Sequence, residues 1–148
     1  MIDSHQHFWQ VGRFDYPWMT SDLGVLYRDY LPFDHMAKPP IARNEIKEWS
    51  QALAPLAKFL NIHCKLSGLV TEANWTTWQA DDLRPFVDYA LELFGVERMM
   101  FGSDYPVCLL AASYDRVLEA FQEILKDLSD GERDQIFSKN AARFYRLN

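Results

Sequence analysis

A chain of 148 residues, 49% hydrophobic and 24% charged, has the length of one domain and enough apolar side chains for a buried core. Its net charge of -6 argues against the basic face that phosphate binding needs, and so against a nucleic-acid partner; no apolar run approaches the ~20 residues of a membrane span, so no membrane partner is expected either. With no basic-then-apolar leader and only Cys64 and Cys108 as thiols, a reducing, cytoplasmic setting is expected.

The first strand is read at Ile2 to Gln6, running into His5 and His7. Alternate residues of a strand share a face, so the two imidazoles project together. Phe8 to Pro32 is punctuated by Gly12, Pro17, Gly24 and Pro32 and reads as an irregular aromatic loop, helical at most from Ser21 to Tyr30. A brief strand at Phe33 to His35 ends before Pro39 and Pro40. Asn44 is the expected cap of a helix to Leu60, with Ile46, Trp49, Leu53, Leu56 and Leu60 at helical spacing and Pro55 kinking it. A third strand is read at Ile62 to Leu66, with Gly68 as punctuation. Asp81 or Asp82 caps a helix to Phe94 that Gly95 ends. Arg98 to Gly102 reads as a buried strand, Tyr114 to Leu128 as an amphipathic helix, and Gly131 to Leu147 as a last pair of short helices.

Strands alternating with helices imply parallel pairing through crossovers, and such folds collect their chemistry at the C-terminal ends of the strands. The polar candidates fall there: His5 and His7, Asp34 and His35, Lys65 and Ser67, and Asp104. Each has a plainer rival. Asp104 is also a good turn residue, His35 a good structural histidine and Lys38 a good solvated loop lysine. Trp9, Trp18, Tyr27 and Tyr105 serve packing as readily as sugar stacking. His63 sits inside a strand, where a structural role is favoured.

Four blocks carry a resemblance: His5-Gln6-His7, Asp34-His35-Met36-Ala37-Lys38-Pro39, Cys64-Lys65-Leu66-Ser67-Gly68-Leu69 and Phe101-Gly102-Ser103-Asp104-Tyr105-Pro106-Val107. In this order they resemble the amidohydrolase superfamily, most closely its aldonolactonase branch, and the likeness extends to the Asn140 to Tyr145 ending. The resemblance implies a (β/α)-barrel of the TIM-barrel type, with the blocks at the ends of strands one, six, seven and eight. Such a barrel needs about 250 residues. The expectation is therefore a single domain, residues 1–148, forming a partial barrel of about four parallel strands in the order 33–35, 62–66, 98–102, 2–6. Covering helices pack on it, and strands two to five are missing between residues 32 and 33, as in an internally truncated isoform.

The chemistry implied is opening of a sugar-acid lactone. Asp104 would take a proton from water and return it to the ring oxygen, with His35 orienting or polarising. Lys38, Trp9 and Tyr105 would bind substrate. His5, His7 and Asp104 would hold one divalent metal, zinc by ligand type, with metal-free catalysis as the alternative. The rival readings are a catalytically impaired chain that acts by association, and a decarboxylase of the same superfamily. The two open edges of a partial barrel invite a homo-oligomer.

Overall fold

The computed structural model describes Met1 and residues 38–147. A 3₁₀ turn at Ile41–Arg43 ends on Asn44 in the left-handed region, φ 53°, and α1 follows at Ile46–Ala57. Asn44 therefore closes the turn before the helix and does not cap it. Its N–H is taken by Ile41 O, and its short polar side chain tolerates that backbone region. The helix contains Pro55 and stops at Ala57, earlier than the expected Leu60. Trp49 and Leu53 are buried on one face of α1. The Trp49 ring meets Phe86 edge-on at 5.5 Å and Tyr89 at 5.9 Å, which joins α1 to α2.

Strand β1, Cys64–Leu66, pairs in parallel with β2, Met99–Phe101, in the register Cys64 to Met99, Lys65 to Met100 and Leu66 to Phe101. The crossover is α2, Ala80–Phe94. Its cap position is Gln79, two residues before Asp81 and three before Asp82, the expected caps. Asp82 takes part from inside the helix, its Oδ2 accepting the Gln79 N–H at 2.8 Å as in the reciprocal half of a capping box. Leu83, Phe86, Val87, Ala90 and Phe94 repeat at helical spacing and are buried. Gly95, at φ 67°, ends the helix as expected. In the sheet, Leu66, Met99 and Phe101 belong to this helix-side core. Lys65 and Met100 are opposite each other in register, and alternation puts them on the other face.

Helix α3 runs Tyr114–Ile124, with Ser113 Oγ accepting the Arg116 N–H. It ends short of the expected Leu128, the chain tightening into i to i+3 turns as Lys126 N–H donates to Glu123 O and Leu128 N–H to Leu125 O, while Arg133 Nη1 donates to the Lys126 and Leu128 carbonyls at 2.8 and 2.6 Å. The expected last helix pair is one helical run: α4 at Asp130–Asp134, a wider π-helical turn at Gln135–Lys139, and α5 at Asn140–Tyr145. Phe137 and Phe121 close on Phe101 from two sides at 5.2 and 5.5 Å.

Two polar side chains fasten these pieces. Asn140, fully buried, donates from Nδ2 to Val96 O at 2.7 Å and Met99 O at 2.8 Å, tying α5 to the start of β2. The Arg98 guanidinium donates to Phe94 O and Leu93 O at the end of α2 and to Ala57 O, Phe59 O and Ile62 O around the end of α1, and lies 5.1 Å from the Phe94 ring centre.

The described residues thus hold a two-stranded parallel sheet with helices packed against it. The two inner strands of the expected four are present and adjacent, each only three residues long. The strands read at 2–6 and 33–35 lie outside the described residues, so the four-stranded partial barrel is not what the described part of the chain displays. No helix among the described residues is long and apolar enough to cross a membrane.

Candidate active site at the strand ends

Beyond β2 the ladder runs one residue further, Gly102 N–H donating to Leu66 O at 3.1 Å, and the chain must then turn away. It does so at Asp104, whose backbone is left-handed at φ 62°. Asp is among the few residues that adopt this region at modest cost. The turn is secured on both sides: Ser103 Oγ accepts the Tyr105 N–H at 3.1 Å, and Asp104 O accepts the Cys108 N–H at 2.9 Å. Asp104 is only 2% exposed. A solvated turn aspartate would point outward, so this carboxylate is held inward by its surroundings.

Its ionic neighbour is Lys38. The Nζ lies 3.5 Å from Asp104 Oδ2, 3.7 Å from Glu72 Oε1 and 3.4 Å from Thr71 Oγ1. Thr71 in turn donates its hydroxyl to Gly68 O at 2.9 Å. One ammonium thus bridges the loop after β1 and the turn after β2. Gly68 makes the approach possible. A Cβ there would stand 2.7 Å from Lys38 Cε and 3.1 Å from Asp104 Oδ2, and its φ of 70° disfavours any L side chain.

Of the residues singled out from sequence, Lys38 and Asp104 are brought together, and Tyr105 adjoins them at 56% exposure. His5, His7, Trp9 and His35 lie outside the described residues. His63 precedes β1, away from the strand's C-terminal end, with its ring 4.8 Å from that of Phe144, which is a packing role as expected. Among the described residues no group of three His, Cys, Asp or Glu side chains is placed to hold a metal ion. Sequence reading missed Thr71 and Glu72, which follow Gly68 and reach Lys38 across more than thirty residues of chain. Their only sequence signal was position, directly behind a strand end.

The two loops that carry the site are bound to each other. Trp78 Nε1 donates to Ala111 O at 3.1 Å, and Arg116 lies over the Trp78 ring at 5.1 Å. A carboxylate and an ammonium held at a strand end by this frame can move a proton and bind an oxyanion.

The amidohydrolase family matches residues 31–147. An L-fucono-1,5-lactonase from Burkholderia multivorans is 44% identical over 128 residues, 80% of this chain and 43% of the relative. One from Burkholderia ambifaria is 40% identical over 121 residues, 78% of this chain and 41% of the relative. A crystal structure of an amidohydrolase from Burkholderia multivorans with bound zinc superposes with a TM-score of 0.72 at 42% identity, covering 77% of this chain and 43% of that one. The chain spans about two fifths of the length of these relatives.

Proposed function

Because the chain belongs to the amidohydrolase family, whose match takes in both Lys38 and Asp104, we propose that it is a hydrolase that opens a sugar-acid lactone of the L-fucono-1,5-lactone type. One observation carries the reading. The buried Asp104 carboxylate, turned inward by a left-handed backbone at the end of β2, lies 3.5 Å from the Lys38 ammonium. The likeness to two L-fucono-1,5-lactonases over about four fifths of the chain supports it.

In this reading Asp104 accepts a proton as water attacks the lactone carbonyl. The new C–O bond forms, charge gathers on the carbonyl oxygen beside Lys38, and the ring C–O bond breaks as Asp104 returns the proton to the departing hydroxyl. His35 orients the water, and Tyr105 borders the substrate. Zinc is bound in the Burkholderia multivorans amidohydrolase. A catalytic zinc needs about three protein ligands, which here would be His5, His7 and Asp104. Of these Asp104 lies among the described residues, its Oδ2 3.5 Å from the Lys38 ammonium.

The order of the blocks, with Phe33-Asp34-His35 directly after the segment that ends at Pro32, suggests a second reading. A single domain with strands two to five absent would lack part of its substrate wall and act, if at all, by association in the cytoplasm.

Asp104→Asn separates the two. Asparagine keeps the left-handed backbone and the shape of the side chain but cannot take the proton. L-Fucono-1,5-lactone hydrolysis should fall on the order of 10²-fold or more while the melting temperature stays near that of the wild type. Unchanged turnover in this variant removes Asp104 from the mechanism, and a wild-type chain without lactonase activity favours the second reading.

A further inference from the structure

We propose that Trp75 is the sugar-face platform of this site, an indole held at its mouth to stack on a cyclic aldonolactone, and so a specificity-determining residue. The inference rests on the lactonase reading above. The loop after β1 carries two tryptophans with opposite fates. Trp78 is buried, its ring nitrogen spent on the Ala111 carbonyl of the neighbouring loop. Trp75 keeps 49% of its surface exposed, although a large aromatic gains by burial. Its exposure is not looseness. Nε1 donates to Thr71 O at 2.8 Å, which pins the indole against the residue whose hydroxyl accepts from Lys38 Nζ at 3.4 Å.

Trp75 is therefore one residue removed from the ammonium that pairs with Asp104. The 3₁₀ turns Val70–Glu72 and Val107–Leu110 pack together, and the second loop adds exposed Tyr105, Leu109 and Leu110. An apolar rim beside a buried carboxylate and an ammonium is the layout of a small-molecule site with few placed polar groups. A sugar ring suits it, because its C–H face stacks on an aromatic plane while its oxygens reach the charged pair. Tyr105 was singled out for this role from sequence, whereas Trp75 becomes a candidate only through its pinned exposure.

The full chain, Trp75→Ala and Trp75→Phe are compared on L-fucono-1,5-lactone, with intrinsic fluorescence followed as L-fuconate is added. In Trp75→Ala, KM should rise about tenfold, the size of one aromatic stacking contact, with kcat within about twofold and the melting temperature unchanged. Trp75→Phe should recover most of the loss. Wild-type fluorescence should shift with L-fuconate, and that shift should be at least halved in both variants. An unchanged KM in Trp75→Ala while the wild type turns over overturns the inference alone. So does a fall in kcat and melting temperature together, or a change in solution mass that marks an interface. A wild-type chain that neither hydrolyses the lactone nor binds L-fuconate overturns the lactonase reading and this inference with it.

Discussion

At Gly68 three atoms compete for the space a methyl group would take, and its backbone already lies where L residues are strained. Gly68→Ala should cost about 1 kcal/mol or more of stability and push Lys38 off Asp104. Misplacing a positioned group can cost on the order of 10²-fold in rate, so kcat should fall by more than the small drop in melting temperature would suggest. An alanine variant with wild-type kcat would show that the Lys38 contact is not needed for turnover. Cys64, packed against the core from β1, sets a different boundary. Desolvation pushes its thiol from 9.0 up to about 12, so the folded chain holds that proton more tightly than the unfolded one. Its contribution is complete below pH 9 and is lost as the pH rises toward 12, at about 1.4 kcal/mol per pH unit. Denaturant melts across that window should show a shallower decline for Cys64→Ala than for the wild type; parallel declines would remove the thiol as the cause.

At the level of elements, the C-terminal run is held by one amide. Asn140→Ala leaves the Val96 and Met99 carbonyls without their side-chain donor beside β2, and a buried unmade bond costs about 1–3 kcal/mol. Urea unfolding should show a loss in that range; a loss below 0.5 kcal/mol, the low end for a single hydrogen bond, would mean that water reaches these carbonyls. The helices were legible in the sequence because apolar spacing of 3.6 residues survives in any context, as in Leu83, Phe86, Val87, Ala90 and Phe94. Their ends were not. Gln79 is an uncommon cap, Asn44 serves a turn that no periodicity announces, and past Ile124 the chain tightens into turns whose carbonyls at Lys126 and Leu128 accept from Arg133 of a later helix. The candidate site divides the same way. Asp104 stood out by its place behind a strand end and Lys38 by its place in the Asp34 to Pro39 block, whereas Thr71, Glu72 and Trp75 owe their positions to contacts that only the folded chain makes.

At the scale of the whole molecule, large apolar side chains are exposed outside the candidate site as well. Phe59 and Leu60 follow α1, Phe144 lies in α5 and Leu147 just after it, and all four are exposed; His63 lies between the two groups in sequence, its ring tilted against that of Phe144 at 4.8 Å. Contiguous exposed apolar surface of more than a few hundred Å² is unusual on a soluble monomer. The expected outcome is self-association. Light scattering should give a mass above the 17.4 kDa of one chain, and Leu60→Glu with Phe144→Glu should lower it. A monodisperse monomer that hydrolyses L-fucono-1,5-lactone would reject both this association and the reading of an impaired chain.

Arg98 gives the fold a property that backbone continuity does not. The exposed stretch from Lys58 to Asn61 carries the chain from α1 towards β1, and the carbonyls of Ala57, Phe59 and Ile62 around it end on the same guanidinium as those of Leu93 and Phe94. A peptide bond cut within that stretch would leave both new ends fastened to one cation on a third part of the chain. The nicked protein would travel as a single particle in native buffer and separate into two only in denaturant, so α1 and the strands behave as docked parts whose connecting link is dispensable.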